Sequence, residues 1–63
     1  MTFHEVKLDA NGNPLYELDM VEFNGKWYTI EKRKGDYLLV NDETQIQLMR
    51  VPSSALFLVE HFF

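Results

Sequence analysis

The groups with chemistry to offer in this 63-residue sequence are two histidines, an oxygen-rich turn, a basic stretch beside aromatic rings, and a scatter of large aromatics. An imidazole can act as a general base or as a metal ligand. His4 and His61 lie near opposite termini, so they meet only if the terminal segments pair. Two imidazoles without a placed carboxylate make a poor metal site, and both are read as surface histidines. Asp9-Ala10-Asn11-Gly12-Asn13 has the oxygen donors of a calcium loop. An EF-hand loop, however, needs glycine at its sixth position and glutamate at its twelfth. Here the glycine is fourth, so the segment is read as a turn in which Asn and Gly supply unusual backbone angles. Catalysis needs an acid, base or nucleophile held in a cleft, and so short a chain has little concave surface to give. No catalytic residue, cofactor site or metal site is expected, and the chain is not expected to be an enzyme.

Binding is the remaining chemistry. Lys26, Lys32, Arg33 and Lys34, with Arg50 and the rings of Trp27, Tyr28 and Tyr37, could form a basic aromatic platform for single-stranded nucleic acid. Glu22, Glu31, Asp36 and Glu43 stand close by in sequence, which favours a solvated hairpin end that resists edge-to-edge pairing. Glu5, Asp9, Glu17, Asp19, Glu22 and Asp42 could instead imitate the acidic surface of nucleic acid, but lysines interrupt them and the density is modest. Trp27, Glu22, Phe57, Phe62 and Phe63 are the candidate partner-binding residues, large aromatics being enriched at interface hot spots. Trp27 either covers the second side of the sheet under an N-terminal arm or stands exposed as an anchor. Packing is the favoured reading, because a small fold uses every large side chain. Phe62 and Phe63 either extend a patch with Phe57 or fold back over the end of the domain.

Strands must position these groups, since no window of a dozen residues carries apolar side chains at helical spacing uninterrupted. Phe3 to Leu8 reads as a first strand or arm, with Val6 and Leu8 alternating with Glu5 and Lys7 before the turn at 9–14. Leu18 to Phe23 and Lys26 to Lys32 flank Asn24-Gly25, the strongest short-range hairpin signal. A two-residue loop there pairs Phe23 with Lys26, Glu22 with Trp27 and Val21 with Tyr28. Val21, Phe23, Tyr28 and Ile30 then share one face, and Glu22, Trp27, Thr29 and Glu31 the other. Gly35-Asp36 signals a second turn before a buried strand at Tyr37 to Val40. Asn41-Asp42-Glu43 turns the chain into Gln45 to Leu48, with Ile46 and Leu48 inward and the glutamines outward. Pro52-Ser53-Ser54 fits a single 3₁₀ turn, since proline lacks a ladder donor and serine bonds locally. Ala55 to Glu60 resumes as a closing strand, leaving His61-Phe62-Phe63 as a tail.

Composition bounds the rest. The length allows one domain. A hydrophobic fraction of 46% with no cysteine implies a core held by burial and backbone pairing alone. The N-terminus lacks the charged start and apolar run of a signal peptide, and no apolar stretch reaches membrane-spanning length, so a cytoplasmic protein is expected. A net charge of −4 disfavours broad attraction to nucleic acid or anionic lipid.

The order of elements, a strand, a tight hairpin, a second hairpin and a 3₁₀ turn before the final strand, resembles that of SH3-like barrels. Arg50-Val51-Pro52-Ser53-Ser54-Ala55-Leu56 is similar to the Ile-Pro-Ser-Asn-Tyr-Val segment by which peptide-binding SH3 domains enter their last strand. Ala55 stands where that family has its groove tyrosine, and its paired tryptophans are missing, so no binding residues carry over. The resemblance implies an all-β, five-stranded SH3-like barrel over 15–60, with a strand or arm and turn at 1–14 and a tail at 61–63. The expected function is a non-catalytic protein-interaction module, monomeric or weakly dimeric, of the bacterial or phage accessory or inhibitor type, its partner unidentified. The alternative is a nucleic-acid or ribosome-associated module using the basic hairpin 26–34.

Overall fold

The computed structural model describes residues 4–63. Seven strands run in order: β1 (Lys7–Leu8), β2 (Pro14–Leu15), β3 (Met20–Phe23), β4 (Lys26–Arg33), β5 (Asp36–Val40), β6 (Gln45–Gln47) and β7 (Leu56–Glu60). Two 3₁₀ turns, Leu48–Arg50 and Ser53–Ala55, lie between β6 and β7. β1 and β2 form a two-stranded sheet, and the other five form an antiparallel sheet in the order β6-β5-β4-β3-β7. The two edge strands, β6 and β7, share no pairing, so the expected barrel closure is not found.

The Asn24-Gly25 hairpin takes the expected register, Phe23 opposite Lys26, Glu22 opposite Trp27 and Val21 opposite Tyr28. Its two turn residues have φ of 55° and 80°, the left-handed pair whose twist matches that of the flanking strands. The second turn falls one residue earlier than expected. Lys34 and Gly35 take the positive φ angles, so Arg33 pairs with Asp36 and β4 reaches eight residues. At the third turn Asn41 Oδ1 accepts the amides of Glu43 and Thr44, which fixes the bend without glycine.

Period-two alternation divides the large sheet. Val21, Tyr28, Ile30, Leu39 and Leu56 are buried on the inner face and join Leu15, Leu48 and Val51 in one core. Leu15 of β2, half-buried Val6 and the first 3₁₀ turn therefore cover that face. Gln45 and Gln47 are exposed and Leu48 is buried as expected, while Ile46 is half-buried. Leu48 opens a 3₁₀ turn that the sequence did not signal, instead of ending β6.

The N-terminal segment departs further from expectation. Of the strand expected over Phe3 to Leu8, Phe3 lies outside the described residues, and only Lys7 and Leu8 pair, with Leu15 and Pro14. Leu8 is exposed and Lys7 half-buried, because the Lys7 ammonium donates to the carbonyls of Leu48 and Val51. The Leu48 carbonyl also accepts the Val51 amide that closes the first 3₁₀ turn, so the lysine adds a second donor there and ties β1 to the turn. β3 begins at Met20, two residues later than expected, and a bulge between Met20 and Val21 shifts its register with β7.

Candidate functional site

Three of the aromatic and acidic candidates meet on the outer face of the sheet. Glu22 on β3 stands opposite Trp27 on β4 and opposite Phe57 on β7, so the three form one row across adjacent strands. Directly opposed side chains in such a ladder have Cβ atoms about 5 Å apart. Trp27 is 58% exposed and Phe57 44%, with Glu22 half-buried between them. The expected packing of Trp27 under an N-terminal arm is not found among the described residues, where Val6 and Leu15 pack against the core on the opposite face. The next row runs Val40, Thr29, Met20 and Glu60, and beyond it Leu38 pairs with Glu31. Met20, Val40 and Leu38 are half-buried, so apolar surface continues away from Trp27.

Two shallow hollows flank Trp27. One, of about 200 Å³, is lined by Met20, Trp27, Thr29, Val40 and Asp42 among others, and one of about 290 Å³ lies between Trp27, Lys26 and Asp42. A third hollow, of about 220 Å³, is bordered by Leu18, Met20, Glu60, His61 and Phe62. Leu18 has φ of 75° and is 40% exposed. A bulky side chain in the left-handed region is strained. The strain is maintained by pairing on both sides, as Leu18 N donates to the Ile30 carbonyl and Ile30 N to that of Asp19.

Phe57 lies within β7, whereas Phe62 and Phe63 follow the end of that strand at Glu60. Phe62 N instead donates to Asp19 Oδ1 at 3.0 Å, and Phe63 stacks on His61 with centroids 5.0 Å apart and meets Tyr16 edge-on. The expected free tail is therefore anchored, although both phenylalanine side chains remain exposed. His61 is not a plain surface histidine, since its Nδ1 lies 2.7 Å from Oδ2 of fully buried Asp19. The same carboxylate accepts Tyr16 N at 3.0 Å. Asp19 thus ties three backbone segments together, a role that a lone aspartate between Leu18 and Met20 does not advertise. His4 is exposed.

The Asp9 segment is a turn organised by its own carboxylate. Oδ1 accepts the amides of Asn11 and Asn13, and Oδ2 accepts Asn13 Nδ2 and, at 2.9 Å, Leu58 N on the free edge of β7. Burial raises the Asp9 pKa, but these donors, Leu58 and Asn13 foremost, outweigh it and hold the carboxyl below its usual value of 3.8. Among the described residues no group of three or more His, Asp or Glu could hold a metal ion.

The basic candidates are divided. Lys26 begins the eight-residue β4 while Lys32, Arg33 and Lys34 lie at its far end, about 23 Å away at the strand rise. Lys26 pairs with Glu43 at 3.3 Å and Arg33 with Glu31 at 2.9 Å, and Lys32 lies over the Tyr37 ring. A single basic platform spanning 26–34 is not assembled. A further hollow, of about 370 Å³, opens elsewhere, between Val6, Lys7, Tyr37, Leu48 and Met49. No helix of the structure is long and apolar enough to cross a membrane. No protein-family model, curated protein or solved structure matches the chain.

Proposed function

We propose that this chain is a non-catalytic protein-interaction module that docks a partner protein on the outer face of its sheet, around Trp27. One observation carries the reading: the Trp27–Glu22–Phe57 row places two exposed aromatics on a sheet face that no other described element covers. Solvated sheet faces normally carry polar side chains, and contiguous apolar surface on such a face marks an interaction site. An SH3-like architecture belongs to the same proposal. It is supported by the run of hairpins from β3 to β6 and by the Ser53–Ala55 turn leading into the last strand. So does the setting, an accessory or inhibitor protein of bacterial or phage type acting in the cytoplasm.

Affinity capture from the source cell with three forms of the chain tests the reading. The wild type and a Lys32→Glu, Arg33→Glu, Lys34→Glu variant should retain the same protein partner, and a Trp27→Ser, Phe57→Ser variant should lose it. Random oligonucleotides should not bind at physiological ionic strength. Capture of nucleic acid that the charge-reversed variant abolishes would replace this function with the nucleic-acid alternative.

A further inference from the structure

We infer that the partner presents an arginine or lysine to the Trp27–Glu22–Phe57 row, the charge meeting Glu22 and the aliphatic stem lying along the two rings; this rests on the docking face proposed above. A carboxylate flanked by exposed aromatics offers a cation two kinds of attraction at one place. The ring faces attract positive charge through their quadrupoles, and the carboxylate accepts a charge-assisted hydrogen bond.

Charge across the whole face points the same way. The rows of the ladder put Glu22, Glu31, Asp36 and Glu60 on the outer side with a single cation, Arg33, and that cation is engaged by Glu31. Lys26 reaches the rim beside Trp27 but is engaged by Glu43. Lys7 is directed to backbone carbonyls beneath the opposite face. The described structure therefore records no ion pair at Glu22. An anionic lipid surface or a phosphate backbone would meet repulsion here. A second copy docked face to face would set these carboxylates against one another.

The probe is a twelve-residue peptide alternating arginine and leucine, free of tryptophan. Trp27 is the sole tryptophan, so its emission reports contact at the row directly. The peptide should shift that emission to the blue and saturate, while the same peptide with citrulline for arginine, equal in shape but uncharged, binds about ten-fold more weakly. Glu22→Gln should weaken the arginine peptide by a similar factor, and Asp36→Asn, at the far end of the same face, should leave it unchanged. Equal losses in Glu22→Gln and Asp36→Asn, or equal binding of the citrulline peptide, would overturn the inference in favour of diffuse attraction. A blue shift that grows with protein concentration alone would assign the face to a second copy. In cell capture, a partner lost by Trp27→Ser but kept by Glu22→Gln overturns the cation contact and leaves the docking face standing. A partner indifferent to both removes the docking face itself.

Discussion

The two faces of one five-stranded sheet are built from alternate residues of the same strands, yet they have opposite fates. Along β4, Tyr28 and Ile30 turn inward and are buried, whereas Trp27, Thr29 and Glu31 turn outward and are not. The inner face is covered because Leu15, Val6 and the first 3₁₀ turn fold over it, whereas on the outer face Trp27 and Phe57 stay exposed among the described residues. If the outer face served only to meet water, polar side chains would suffice. Instead it carries Trp27, Phe57 and Met20 together with carboxylates. The outer face thus keeps large apolar side chains that the core does not use.

Four substitutions probe that contrast. Leu39→Ala on the inner face should cost about 2 to 5 kcal/mol by leaving a cavity in a core with few residues to absorb it. Chemical denaturation measures this, and a loss below 1 kcal/mol would mean that the inner face is loosely packed. Asp9→Asn lies at the boundary, where the carboxylate holds Leu58 on β7, and should cost about 1 to 3 kcal/mol because buried donors lose an acceptor. Its pH dependence has a defined sign. Because the folded state lowers the Asp9 pKa, the unfolded chain binds the proton more readily. The Asp9 contribution is then complete above the usual value of 3.8 and is lost as pH falls from there through the folded value. The wild type should therefore lose stability on acidification over that range by more than the Asn variant does.

On the outer side the effects should be small or reversed. Leu18→Gly relieves a left-handed leucine and should stabilise the fold by about 1 kcal/mol, less whatever the freer unfolded chain takes back. A destabilised variant would show that the leucine side chain is a packing element after all. Trp27→Ser should change stability by no more than about 0.5 kcal/mol, as exposed substitutions do, and a large drop in thermal midpoint would show the ring to be structural.

What the sequence made legible was local. Asn24-Gly25 announces its turn because both residues tolerate positive φ, and the register that follows decides which side of the sheet each residue takes. The second turn slipped by one because Lys34, with no propensity for the left-handed region, occupies it beside Gly35. Register told that Trp27 and Val21 face opposite ways. It could not tell which face the N-terminal segment would cover, since that depends on where Val6 and Leu15 come to rest. The roles of Asp9 and Asp19 were hidden for a related reason: their most distant partners, Leu58 and the His61-Phe62 pair, lie more than forty positions away. Phe57 was singled out as an aromatic, but its place opposite Glu22 follows from the β3–β7 pairing, which no turn signal specifies.

That pairing also sets a timetable. β3, β4 and β5 each meet the strand next in sequence across connections of two to four residues, and such hairpins form on the order of microseconds. β7 must return past all of them to place Leu58 beside Val21, and sheets dominated by non-local contacts fold on the order of milliseconds to seconds. Until β7 arrives, the far edge of β3 has backbone donors and acceptors without partners and with Val21 unburied. In that interval a neighbouring chain at high concentration competes for the place that Leu56–Glu60 will take.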